Sequence, residues 1–247
     1  MSDKNADFRL EDISKPSREW SHVDDDDLMP LPPPFEDKSK EPEFRELSEE
    51  ARETYAASLD NTLVLNIPKP KNKEEEQELV RKFLSGVEKL FNAPDNWTFL
   101  KPLLLTIEHC ANCQTCSDAC HIYEASGRNP IYRPTCRAEI LRRIYYKYIK
   151  PGGAFFGTWR HGDIDLNWVT VTRLAELSYR CNLCRRCAQP CPIGADNGLV
   201  AREIRKLFSQ ELGINMPELH EKGTVKQLTL GSSTGLNPDG FRAVSYT

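Results

Sequence analysis

The chain has 247 residues, enough for one or two ordinary domains, of which 39% are hydrophobic and 28% charged. Its 33 lysines and arginines against 37 aspartates and glutamates leave a formal net charge of −4, which provides no overall basic field for nucleic acid or anionic lipid. No stretch approaches the roughly 18 to 20 apolar residues of a membrane span, and residues 1–30 lack the basic-then-apolar opening of a secretory signal, so a cytoplasmic location is expected.

Residues 1–47 read as an acidic, proline-rich tail. Residues 1–50 hold 16 acids against 7 bases, including the run Asp24 to Asp27. Pro16, Pro30, Pro32 to Pro34 and Pro42 cannot sustain a ladder of backbone hydrogen bonds. With no steady apolar period, the segment is expected to lack a core of its own and to be disordered or laid over a partner. Phe8, Trp20, Phe35 and Phe44 read equally as anchors on a partner and as ordinary surface aromatics.

A helical lead-in is expected over 48–98. Ser48 can cap a short helix opening with Glu49 and Glu50. Asn72 precedes a one-faced stripe of Leu79, Val80, Phe83, Leu84, Val87, Leu90 and Phe91, with Glu75 placed for a capping box and Pro94 as a stop. Thr62 to Ile67 is the one segment that reads as a strand. A main domain is expected over 99–213. Within it, Thr135 is a candidate cap for a helix with Ile140, Leu141, Ile144, Tyr145 and Tyr148 on one face and Arg142, Arg143 and Lys147 on the other, stopped by Pro151-Gly152-Gly153. Further helices are expected from about Thr170 to Tyr179 and from Leu199 to Leu212, the latter closed by Gly213. Residues 214–247 form a C-terminal extension. The fold class is mainly α.

Nine cysteines are too many for a typical cytosolic protein, and their odd number disfavours a complete disulfide framework. Eight of them form two copies of one pattern: Cys110, Cys113, Cys116 and Cys120, then Cys181, Cys184, Cys187 and Cys191, the last followed by Pro192. Three thiolates at steps of three residues in a tight loop can grip three corners of one cubane cluster. The fourth sits one residue too far and, in two-cluster proteins with this run, ligates the other cluster. The pattern therefore predicts two 4Fe-4S clusters, one on Cys110, Cys113, Cys116 and Cys191, the other on Cys181, Cys184, Cys187 and Cys120. Four-cysteine zinc sites usually pair two shorter knuckles, and a third cysteine in each would be surplus. Cys136 has no ligand spacing to either motif and reads as a small buried hydrophobe. His109 and His121 flank the first motif and could bond to cluster sulfur or carry a proton, though spacing fixes neither role. Nucleotide, phosphate, hydrolase and zinc-protease motifs are absent. The residues support electron transfer alone, with no catalytic residue identified.

Residues 121–180, which separate the two motifs, read as helical. The arrangement resembles the helical dicluster domain of succinate dehydrogenase and fumarate reductase iron-sulfur subunits and of the heterodisulfide reductase C subunit, including C-P-I-G-A-D-N-G-L-V-A-R-E-I-R-K-L-F after Cys191. The stretches D-A-C-H-I-Y around Cys120, N-P-I-Y-R-P-T-C-R-A-E-I-L-R-R-I-Y, and C-N-L-C-R-R-C-A-Q-P-C-P are similar to the amino-terminal half of the heterodisulfide-reductase-like iron-sulfur subunits of sulfate-reducer membrane redox complexes. The resemblance covers roughly residues 100–212 and implies an α-helical dicluster ferredoxin domain. Members of that subfamily continue into repeats with adjacent cysteine pairs; here no two cysteines are adjacent.

The resemblance thus implies an electron-transfer subunit of a multisubunit anaerobic redox complex, held peripherally on the inner face of the cytoplasmic membrane through its partners. Those partners would be a cysteine-rich catalytic subunit, a flavoprotein, or a quinone or haem membrane subunit, with no nucleic acid. The alternative is a catalytic subunit of heterodisulfide-reductase type whose cysteine-rich half lies on another chain.

Overall fold

A computed structural model describes residues 9–15, 65–92, 97–157, 159, 162–233 and 239. Among these residues every regular element is helical and no strand forms. Helix α1 spans Lys73–Asn92, α2 Trp97–His109 and α3 His121–Ala125. Helix α4 runs over Pro134–Ile144 and continues as a π turn over Tyr145–Ile149. A short α5 (Gly153–Phe156) leads to α6 (Trp168–Arg180) and α7 (Asn197–Leu212). Beyond these lies an exposed run of α8 (Pro217–Leu219), a π turn (His220–Val225) and α9 (Lys226–Leu230).

The caps explain most of the boundaries. Asn72 Oδ1 accepts from the Glu75 backbone N–H at 2.8 Å, and Glu75 Oε2 accepts from the Lys71 N–H at 2.8 Å, a reciprocal box that starts α1. Asn167 and Asp196 start α6 and α7 by accepting from the N–H groups of Thr170 and Leu199, at 2.9 and 3.0 Å. Gly213, at φ 66°, turns the chain out of α7 in the left-handed conformation that a β-carbon disfavours.

Helix α7 lies at the centre of the packing, against α1, α2, α4 and α6. The rings of Phe83 and Phe208 stack with centroids 5.5 Å apart. One turn along α1, Gly86 lets the two backbones approach, because a β-carbon there would stand 2.8 Å from Glu211 Cγ and 3.0 Å from Leu207 Cγ. Val87 and Leu90 of α1, Leu103 and Ile107 of α2, Ile140, Leu141 and Ile144 of α4, and Leu174 and Leu177 of α6 close the same core. Each such side chain contributes roughly 1.5–3 kcal/mol by leaving water.

Several expectations change. Thr135 does not cap α4; Pro134 takes the first helical position, needing no N–H partner there, and the Thr135 hydroxyl instead donates to Gln114 Oε1 at 3.0 Å. The apolar face continues through Tyr145, whose ring lies against Phe91, but Tyr148, expected inward, is exposed within the π turn. Of the expected strand 62–67, the described residues from Leu65 on make no ladder. Asn66 and Asn215 exchange bonds instead: Asn66 N–H to the Asn215 carbonyl at 3.2 Å, and Asn215 N–H to Asn66 Oδ1 at 2.6 Å. Helix α2 was not foreseen, and Pro102 lies inside it. The helix expected from Ser48, and Phe8, Trp20, Phe35 and Phe44, lie outside the described residues.

Of the tail, residues 9–15 are described. Residues Leu10–Ser14 form a 3-10 turn packed on α6, with Ile13 0% exposed. Arg173 donates to the Ile13 carbonyl at 2.7 Å, Asn167 to the Ser14 carbonyl at 2.9 Å, and Arg143 pairs with Glu11 at 2.6 Å. This part of the acidic segment has no core of its own and buries Ile13 against the domain it precedes.

Candidate functional site

Each cysteine motif begins where a long helix stops. Cys110 follows α2 directly, and Cys181 is the residue that ends α6. Both loops then repeat one backbone feature. Asn112 and Gln114 have φ of 52° and 66°, and Leu183 and Arg185 have φ of 56° and 59°. These are the second and fourth residues after the first cysteine of each motif, and none is glycine. Left-handed backbone costs an ordinary L-residue roughly 1–2 kcal/mol. Its recurrence at matched positions marks loops shaped for a function. Alternating right- and left-handed residues turn successive N–H groups to one side, the concave nest in which anions and iron-sulfur clusters are held.

The first loop is pinned from outside. Gln114 Oε1 accepts from the Ser117 hydroxyl at 3.1 Å as well as from Thr135. Asn112 Nδ2 donates to Glu139 Oε2 at 3.1 Å, and Arg142 Nη1 donates to the Cys110 carbonyl at 3.1 Å. Cys113 is exposed, with its thiol 3.3 Å from the Thr115 hydroxyl, a bond that lowers its pKa. Cys116 is buried. Burial first, then the neighbouring sulfurs of Cys187, Cys110 and Cys113, push its pKa up to about 12.

The second loop presents N–H groups to sulfur. Leu183 N–H points at Cys181 Sγ at 3.4 Å, and Gly198 N–H bonds to the Cys187 sulfur. Arg205 holds the end of α6 by donating to the carbonyls of Ser178 at 2.9 Å, Tyr179 at 3.1 Å, and Cys181. Burial raises the pKa of Cys187, and the Arg137 charge opposes that rise.

The two motifs share their surroundings. Cys120, the last cysteine of the first motif, lines one small cavity with Cys181, Cys184 and Cys187. His121 lies beside it, its Nε2 2.7 Å from Asn182 Nδ2, whereas His109 is exposed. Cys191 is not in that cavity. Its sulfur accepts from Ala195 N–H at 3.2 Å, and the chain beyond it reaches the first motif. Asp196 N–H donates to Thr106 Oγ1 of α2 at 3.1 Å, and Asn197 Nδ2 lies 3.9 Å from Cys116 Sγ. Asp196 also takes Arg185 on its second oxygen at 2.6 Å, so one carboxylate caps α7 and ties down the second loop.

Cys136 stands apart, in the core, with its pKa pushed up to about 12 by burial. Among the described residues no three His, Cys, Asp or Glu side chains converge as a single ion requires. Zinc would draw its sulfurs to about 2.3 Å from one point. Cys120, Cys181, Cys184 and Cys187 line one cavity, with N–H donors at the sulfurs of Cys181 and Cys187, a donor set that fits cubane corners. Asn112, Gln114, Arg137, Asp196 and Arg205 were not singled out from the sequence. Their roles arise from contacts across the fold, and only their nearness to a cysteine could have flagged some of them.

Residues 106–195 match the family model described as a 4Fe-4S dicluster domain. Over 226 residues the chain is 31% identical to the Hdr-like menaquinol oxidoreductase iron-sulfur subunit 2 of Archaeoglobus fulgidus, covering 85% of this chain and 39% of that protein. Over 106 residues it is 36% identical to the Hdr-like menaquinol oxidoreductase iron-sulfur subunit of Archaeoglobus profundus, covering 43% of this chain and 18% of the other. The chain thus spans well under half the length of these curated relatives. No solved structure matches it.

Proposed function

We propose that this chain, an electron-transfer iron-sulfur protein with a 4Fe-4S dicluster domain related to the Hdr-like subunits, carries two 4Fe-4S clusters and relays single electrons between partner subunits of a membrane-associated quinol-linked redox complex. Cys110, Cys113, Cys116 and Cys191 hold one cluster; Cys181, Cys184, Cys187 and Cys120 hold the other. The observation that carries the reading is Cys120 in the cavity of the second cysteine triad, from which it is far removed in sequence. The matched left-handed residues and the N–H groups of Leu183, Ala195 and Gly198 aimed at sulfur support it.

Each cluster, when bound, takes up and returns one electron without making or breaking a bond to substrate. The chain's own residues do the rest. The eight cysteines give up their protons and serve as thiolate ligands. The buried Cys116 and Cys187, whose folded environment holds the proton on, depend on iron for that ionisation. Backbone N–H groups stabilise negative charge on sulfur, and the helices against α7 exclude water from the inner thiols. Among the described residues no helix is long and apolar enough to cross a membrane, so attachment would run through partners: a quinone or haem subunit, a flavoprotein or a cysteine-rich subunit.

Anaerobically purified protein should contain about eight iron and eight sulfide per chain. Cys191→Ser should alter the paramagnetic signal of the cluster on Cys110, Cys113 and Cys116, and Cys120→Ser that of the other. Zinc without sulfide would overturn the reading, and perturbation of each residue's own loop would overturn the crossed ligand sets.

A further inference from the structure

The cavity ringed by Cys120, Cys181, Cys184 and Cys187 is also lined by three arginines, of which Arg185 and Arg186 are exposed and one is buried. The buried one is Arg137, on α4. The residue is 4% exposed, and its Nε has no hydrogen-bond partner among the described residues. A guanidinium taken out of water normally meets a carboxylate or a set of carbonyls, since an unpaired buried charge is costly. The nearby carboxylates are engaged elsewhere: Glu139 with Arg142 and Arg143, and Asp196 with Arg185. The other buried arginine at this end, Arg205, spends its donors on three carbonyls. Arg137 is left facing sulfur, close enough for its charge to act on Cys187.

The first cysteine loop is surrounded differently. Of the described guanidiniums near it, Arg142 pairs with Glu139 and Arg143 with both Glu139 and Glu11, while Arg133, whose Nε also lacks a partner, lies over the Tyr123 ring and lines a cavity with Asn112 and Gln114 that holds none of the eight motif cysteines. The two sites thus share one backbone design and differ in electrostatics. We infer that Arg137 is a positioning and tuning residue that donates to sulfur of the cluster held by Cys181, Cys184, Cys187 and Cys120, raising its reduction potential above that of the other cluster.

The inference rests on the two-cluster reading. Reduction adds one negative charge to a site already ringed by thiolates, and a fixed cation in a low-dielectric wall stabilises the reduced form over the oxidised one. When one electron passes between the clusters, the one on Cys110, Cys113 and Cys116 is oxidised and the other reduced, with no proton or group transferred. Arg137 biases that exchange toward the Cys181 loop. Electrons delivered singly would rest there, making this the cluster that the accepting partner faces.

The test uses full-length holoprotein whose iron and sulfide content establishes two clusters before any potential is compared; failure at that stage rejects the proposed function and leaves Arg137 out of account. Potentiometric titration followed by paramagnetic resonance should show two resolved midpoints. In Arg137→Gln the higher one should fall while the lower stays in place, and in Arg137→Lys, which keeps the charge but not the planar fork, it should fall less. Should Arg137→Gln lose a cluster, the native protein labelled with nitrogen-15 arginine decides. The reduced second cluster should show hyperfine coupling to a guanidinium nitrogen, and Arg137→Lys should remove it. Two unmoved midpoints, two midpoints moving together, or absence of that coupling would overturn the inference.

Discussion

At the scale of single residues, two kinds of cysteine share this chain, and surroundings separate them. The eight motif thiols sit in loops with left-handed backbone and N–H groups turned toward sulfur. Cys136 sits among apolar side chains in the core. Its buried thiol holds its proton to about 12 instead of the usual 9.0. The unfolded chain releases that proton first, so Cys136 costs no stability below about pH 9 and stability falls between about 9 and 12, by up to roughly 1.4 kcal/mol per pH unit. Cys136→Ser should leave iron content and both cluster signals unchanged. It should lower stability at neutral pH by about 1–3 kcal/mol, because a hydroxyl is buried there without a designed partner, and flatten the alkaline loss seen in denaturant titrations between pH 9 and 11. Spacing alone set Cys136 apart as a buried core thiol. Gln114 and Arg137 were not legible, because nothing local distinguishes a glutamine that braces a loop or an arginine that faces a cavity from a solvated one.

Among the elements, the pairing of α1 with α7 carries the architecture. Gly86→Leu should force the helices apart at Glu211 and Leu207, cancelling any gain in helix propensity. A fall in stability of about 2–3 kcal/mol with a lower thermal midpoint is expected, and an unchanged midpoint would mean that the contact is loose. The 3.6-residue stripes of α1, α6 and α7 were readable because one face of each meets the core. What escaped was set by neighbours: the Pro134 start of α4, the π turn that swings Tyr148 outward, and α2, whose apolar run surrounds a proline. The segment at Asn66 has a strand's composition, but its one backbone bond to Asn215 is flanked by bonds from the Asn66 side chain to the backbone at Gly213 and Asn215, and no ladder follows.

For the molecule as a whole, the acidic beginning is not uniformly separate from the domain. Truncation through residue 15 removes Ile13, the Glu11 carboxylate paired with Arg143 and the carbonyl to which Arg173 donates. Hydrogen exchange should then rise at the start of α6, and Ile13→Ala should reproduce much of the effect, with a cost of about 2–5 kcal/mol if the segment unfolds only with the domain. A change confined to residues 9–15 would show that it opens on its own. Composition could not reveal this, since one buried isoleucine in a charged segment leaves no period.

The proposed exchange of Cys120 and Cys191 between the two clusters also bears on how the protein is made. If each cluster borrows its last ligand from the other's loop, neither site is complete while its counterpart is empty and that loop unformed. Maturation should therefore behave as a nearly all-or-none event: limiting iron and sulfide supplied to the apoprotein should give empty and doubly loaded chains, with few carrying one cluster. Native mass spectrometry under anaerobic conditions counts these species directly, and a dominant singly loaded peak would mean that the two loops fill independently.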